Sequence, residues 1–156
     1  MVIARSARFP LEATRLVTGF IGIKAIIDLG VRTRHHEFQT LPFLVDSGSN
    51  VSTLPASLAE TWDIPFPNKS VEIELRTATR RLRQRVHPAN LVVRIPAFAG
   101  RDFAWPCHVV DRRSNQPQAV LGLAGVLQDF RITFDGAYAL KARHGWLILE
   151  EVTSTA

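Results

Sequence analysis

The residues of this chain best placed to do chemistry lie in Phe43-Leu44-Val45-Asp46-Ser47-Gly48-Ser49-Asn50-Val51-Ser52-Thr53-Leu54-Pro55. A short apolar strand, Leu41 to Asp46, runs into a cluster of turn formers, so the Asp46 carboxylate stands at a strand mouth on a tight turn. Gly48 lets backbone approach that carboxylate closely, and Ser47 and Ser49 bring hydroxyls that can bond to it. A bare Asp-Ser-Gly tripeptide is an Asx turn between two strands. The apolar run before it and the strand Val51 to Leu54 after it, closed by Pro55, make the longer string more specific than the tripeptide.

Other reactive side chains lack partners at a useful spacing. His35 and His36 are adjacent, would point to opposite sides of a strand and have no third ligand in step, so they read as a surface loop and no metal site is expected. Cys107 is the sole cysteine, which precludes an intramolecular disulfide, and between Pro106 and His108 it reads as a buried strand thiol. Trp62, Phe103, Trp105 and Trp146 read as core or interface aromatics, with Phe103 or Trp105 able to line a subsite. No pattern requires a cofactor.

A second apolar motif lies about seventy residues downstream: Ala119-Val120-Leu121-Gly122-Leu123-Ala124-Gly125-Val126-Leu127-Gln128-Asp129-Phe130-Arg131-Ile132-Thr133-Phe134-Asp135. Together the two motifs resemble the retropepsin-like aspartic peptidases, over roughly Leu16 to Leu149. That family's signature is two apolar residues, Asp, Thr or Ser, Gly, and Ala or Ser, followed by a strand ending in Leu-Pro. Its second element is an apolar pair plus glycine that crosses behind the catalytic loop, then a short helix and a strand ending in Asp. The resemblance implies a mostly β, retropepsin-like acid protease fold: a closed, barrel-like half-domain with a flap hairpin and one or two short helices. Residues 1–156 would form one such domain.

The resemblance also implies an aspartic endopeptidase, whose chemistry needs two carboxylates sharing one proton. Only one loop here has the required form, because Asp135-Gly136 lacks the hydroxyl residue and Asp28, Asp63, Asp102, Asp111 and Asp129 lack the context. A homodimer with its two-fold axis through the loop is then the route to a dyad. The implied catalytic residues are Asp46 as acid/base, Ser47 as a brace between the two loops and Gly48 as the point of close approach. Ser49, placed to bond the outer carboxylate oxygen, Asn50, and Ala78, Thr79 and Arg80 on the flap segment are the implied substrate-binding residues.

The chain departs from the family at two places. Asn50 stands where many relatives carry an Asp that pairs with an Arg after the downstream glycine, and here Leu123 and Ala124 occupy that later position. Dimer cohesion is therefore expected from elsewhere, such as the terminal strands. The segment Val71 to Ile95 holds no glycine, and Arg76, Arg80, Arg81, Arg83 and Arg85 crowd it. It reads as a solvated charged hairpin, or else as a guanidinium rim that selects acidic peptides. An inactive binding module of the same fold, recognising peptides or a protein partner, is the second reading.

These residues must be positioned by strands, because segments rich in Val, Ile, Leu, Thr and Phe alternate with turn formers along the whole chain. The reading is a strand or hairpin over Arg15 to Leu29 with Gly19 and Gly22 as bulges, then a polar connection from Gly30 to Gln39. Beyond the Asp46 loop come a short helix from Pro55 to Trp62 and a strand, Val71 to Leu75, returning as Leu91 to Ile95 around an arginine-rich tip, Arg76 to Asn90. Phe103 to Val110 and Arg131 to Phe134 read as further strands, Gly125 to Phe130 as a helical turn, and Ala137 to Leu149 as a terminal hairpin through His144-Gly145. A length of 156 residues suits one self-sufficient core. The net charge of +5 is ordinary for soluble enzymes, so no nucleic-acid partner is expected. Lys24 and Asp28 interrupt the most apolar N-terminal stretch, and no signal-like segment precedes it, so no membrane contact and a cytoplasmic location are expected.

Overall fold

Alternating apolar and polar residues build the strands of the computed structural model, which describes residues 2–76, 79, 81–111, 117–136 and 145–153. In chain order these are β1 (Val2–Arg15), β2 (Ile21–Arg32), β3 (Phe38–Val45), β4 (Ser52–Pro55), β5 (Val71–Arg76), β6 (Arg81–Arg94), β7 (Phe103–Val110), β8 (Ala119–Leu121), β9 (Phe130–Asp135) and β10 (Trp146–Thr153). Two short helices join them, α1 (Ala56–Thr61) and α2 (Val126–Asp129). The strands form one sheet in the order β5-β6-β7-β4-β8-β3-β2-β1-β10-β9. An added pairing of Gly30 with Arg94 and Val31 with Val93 joins β2 to β6 and bends the middle of the sheet into a ring. The fold is mostly β, as the sequence implies.

The ring closes because its strands have an apolar inner face. On β7 the alternate residues Phe103, Trp105, Cys107 and Val109 are buried, and Ile27, Leu29, Phe43, Leu54 and Val93 meet them in one core. Phe103 and Trp105 are stacked at 5.5 Å, and Phe103 lies 5.0 Å from Phe130. At 2% exposure each, these two aromatics belong to the core, as their sequence reading has it, and the alternative that either lines a subsite falls away.

Three segments differ from the sequence reading. Gly19, at φ +85°, turns the chain between β1 and β2, so Arg15 to Leu29 is the top of a hairpin whose first strand begins near the N-terminus. On the arginine-rich segment, Val71 pairs with Val86 and Arg76 with Arg81, so the return strand already begins at Arg81 and pairs with β5 through Val86. Leu91 pairs instead with Trp105 of β7. Arg81, Arg83 and Arg85 stand on a strand and not in a loop, because the ribbon is wet on its charged face and Arg81 and Arg83 reach Glu74 and Glu72 across it at 3.6 and 3.5 Å. Lastly, Trp146 pairs with Asp135, so the last strand returns along β9; residues Ala137 to His144 of the expected hairpin lie outside the described residues.

The terminal strands are bound within the chain. β10 lies between β1 and β9, so both of its edges are occupied within the chain, and β9 ends the sheet. Glu151 of β10 is buried and gathers Arg5 Nε at 2.7 Å and Arg101 Nη1 at 2.6 Å, and Arg101 continues to Asp129 at 2.8 Å. Asp129 in turn accepts the Trp105 indole N–H at 2.9 Å.

The hydrogen bond from Arg5 is the main cause holding the Glu151 carboxyl below the usual range, against the opposing effect of burial. A depressed carboxyl stabilises the fold fully above its unfolded value of about 4.3, and the contribution disappears as pH falls through the lower folded value. Glu151→Gln is therefore expected to lower stability by about 2 kcal/mol near neutral pH, a loss that shrinks on acidification. Urea unfolding of both proteins across the acid range checks this; parallel curves at every pH would refute it.

Candidate active site

The Asp46 loop is held in shape by backbone bonds from the second apolar motif. β3 and β8 run parallel, with Val45 beside Leu121, and the Asp46 N–H donates to the Leu121 carbonyl at 3.0 Å. Just beyond, Leu123 N–H donates to Ser49 O at 3.0 Å and Ala124 N–H to Asn50 O at 2.7 Å. Between them Gly122 N–H donates to Ser52 Oγ at 3.0 Å, a contact between groups removed from water. The segment after Gly122 thus grips the loop through its main chain. Asn50 and Ala124 meet through a backbone bond where an ion pair is missing.

Within the loop the carboxylate is fixed at both oxygens. Gly48 N–H donates to Asp46 Oδ1 at 2.9 Å and Ser49 Oγ donates to Oδ2 at 2.8 Å. Ser49 N–H also donates to the Asp46 carbonyl at 3.1 Å, closing the turn. Asp46 is half-buried, while Ser47, Gly48 and Asn50 are exposed, so the loop presents its polar face outward.

Two hollows flank this carboxylate. A cleft of about 600 Å³ lies between the loop, from Gly48 to Thr53, and the β5–β6 ribbon, with Ile73, Leu75 and Val86 as apolar walls and His108 and Val110 beneath. A second hollow of about 460 Å³ contains Asp46 itself, with Leu11, Ile23, Lys24, Leu44 and Phe134 around it. Another groove, of about 620 Å³, between Pro65-Phe66-Pro67 and Pro88-Ala89-Asn90 is larger but is lined by no acid, base or nucleophile. The chemistry therefore points to the two hollows at Asp46.

Of the residues singled out by sequence, Asp46, Ser47, Gly48, Ser49 and Asn50 come together in one loop. Thr79 is exposed beyond β5 and does not line the cleft, and Ala78 and Arg80 lie outside the described residues. The cleft walls from β4, β5, β6 and β7 were not singled out. The alternation Val71, Ile73, Leu75 signalled an apolar face, but only the fold shows that it looks toward the loop. Ser52 had no distinguishing signal.

The remaining reactive groups lie elsewhere. His35 Nε2 is 2.9 Å from Asp63 on the surface, and burial pushes the Cys107 thiol up to about 12. Among the described residues no three His, Cys, Asp or Glu side chains converge as metal ligands, and no helix is long and apolar enough to cross a membrane.

A family model described as aspartyl protease matches residues 26–124, well over half of the chain. Among solved structures, a retropepsin-like aspartic protease from Rickettsia conorii is similar at 17% identity with a TM-score of 0.56, covering 96% of this chain and 95% of that one. The EIAV protease complexed with the inhibitor HBY-793 is 14% identical with a TM-score of 0.42, covering 64% of this chain and 81% of that one. No curated protein matches.

Proposed function

The chain belongs to the aspartyl protease family and has a retropepsin-like fold, and from that premise we propose that it is an endopeptidase whose active form is a homodimer. The Asp46 carboxylates of the two copies share one proton and one water. The ionised one takes a proton from the water as its oxygen attacks the peptide carbonyl, while the protonated one gives its proton to the carbonyl oxygen. The tetrahedral carbon then collapses, a proton passes to the amide nitrogen, and the C–N bond breaks to leave an acid and an amine. Residues 1–156 act as one domain in this reading.

The observation that carries it is the carboxylate held at both oxygens by Gly48 and Ser49, the same two residues that open the cleft of about 600 Å³ under the β5–β6 ribbon. Ser49 acts by orienting the carboxylate, Ser47 braces the partner's loop, and Gly48 leaves room for the water. The β5–β6 ribbon is the flap, and Asn50 together with Ala78, Thr79 and Arg80 of the segment that joins its strands would contact the substrate. The apolar cleft walls favour branched aliphatic or aromatic side chains beside the scissile bond.

A peptide-binding module without catalysis is the second reading, favoured by the absence of glycine from residues 71–95. One experiment separates the two. Cleavage of an unfolded protein, followed over a wide range of enzyme concentration beside sedimentation, should rise per chain in step with the dimer fraction. Peptide binding without cleavage at concentrations where the protein is fully dimeric would favour the module and end the peptidase reading.

A further inference from the structure

The hollow around Asp46 adjoins the β1–β2 hairpin through Ile23 and Lys24, and the tip of that hairpin exposes apolar side chains. Leu16, Val17, Phe20, Ile21 and Ile23 are all exposed on the β1–β2 turn, Val17 fully and Phe20 at 74%. The turn is built, since Leu16 N–H donates to Phe20 O at 2.8 Å and Gly19 N–H to Leu16 O at 2.9 Å. Ile23 and Lys24 line both a small hollow beside Leu16 and the hollow that contains Asp46. Phe134, also exposed, forms part of the wall of the latter. Ile23 and Lys24 therefore connect the hairpin, from Leu16 onward, to the hollow that contains the carboxylate.

We propose that this hairpin is the main contact through which a second copy of the chain docks, bringing the two Asp46 loops together. The proposal rests on the reading that one Asp46 is half of a site, which identifies the missing occupant as another copy. Area supports it: the five residues together expose on the order of 600 Å², against the ~800 Å² per partner that a stable interface buries, and at the upper end of the ~300–600 Å² of the largest apolar patch on a typical monomer. Both edges of β10 are occupied and Asn50 offers no charge for an ion pair, so apolar contacts are assigned the larger share of the cohesion.

Sedimentation of Val17→Glu/Phe20→Glu, made in the Asp46→Asn background so that no self-cleavage intervenes, tests this. The dissociation constant is expected to rise about 100-fold or more over the Asp46→Asn parent, with an unchanged circular dichroism spectrum, because neither side chain belongs to the core. Val17→Glu alone, on the most exposed residue, serves if the double variant does not fold, with an expected rise of about tenfold. Dimerisation as tight as the parent's would overturn the proposal, as would a parent that stays monomeric and instead co-sediments with anionic lipid vesicles. Since the readout needs no catalysis, an inactive wild type would sink the peptidase reading while leaving a hairpin-dependent dimer standing.

Discussion

Replacing Asp46 by Asn is expected to reduce peptide hydrolysis by about 10³-fold or more while leaving the fold and the dimer unchanged, because an amide can neither take the water's proton nor return one. The substitution is nearly isosteric. Its amide oxygen still accepts from Gly48 N–H, and the Ser49 hydroxyl can rotate to accept where it now donates, so the turn keeps its bonds. Mixing gives a stricter test. If each site uses two chains, an equal amount of Asp46→Asn added to wild type and re-equilibrated will draw wild-type chains into dead mixed dimers, and total activity will fall to about half. Activity unchanged by the mixture, or a variant that cleaves as well as wild type, would show that the site does not use two Asp46 carboxylates.

The elements that fix that carboxylate were legible in the sequence to different depths. The loop could be read because an apolar strand, an acid, small hydroxyl residues and glycine follow one another locally. β7 could be read from Phe103 to Val110 because strict alternation through Trp105, Cys107 and Val109 needs no knowledge of the partner strands. The return strand of the flap could not, because Arg81, Arg83 and Arg85 make a strand look like a loop until Glu72 and Glu74 are known to lie opposite. Glu151 and Arg5, 146 positions apart, meet only through the β1–β10 pairing, so neither carries a local signal. The exposed residues of the β1–β2 tip read as ordinary strand hydrophobics for the same reason: a side chain's type does not say whether the fold will cover it. Local chemistry was visible, and long-range pairing was not.

Gly122→Ala is expected to be the single added methyl that most disturbs the backbone frame of the Asp46 loop. A Cβ at this position would lie 2.5 Å from the Val51 carbonyl carbon, 2.7 Å from its oxygen and 2.8 Å from the Ser52 nitrogen. These are main-chain atoms that cannot rotate aside, so the end of β8 and the strand leaving the Asp46 loop must move apart. That movement strains the Gly122 N–H to Ser52 Oγ bond and the neighbouring bonds from Asp46, Leu123 and Ala124 that shape the loop. The expected cost is about 3 kcal/mol, the upper range for overpacking, measured as a fall in the urea midpoint. Ser52→Ala removes only the acceptor and should cost about 1–2 kcal/mol, the penalty of one buried N–H left unmade. Because the two changes disturb one contact, their combined cost should fall short of the sum of the separate costs. Gly48→Ala is the contrast: its Cβ would meet only Asp46 Oδ1, at 3.2 Å, so stability should change little. Cleavage by that variant should still drop, because the added methyl crowds the carboxylate oxygen that must face water. If Gly122→Ala unfolded at the wild-type urea concentration, the crossing segment would not be what holds the Asp46 loop, and the second motif would lose its role in the site.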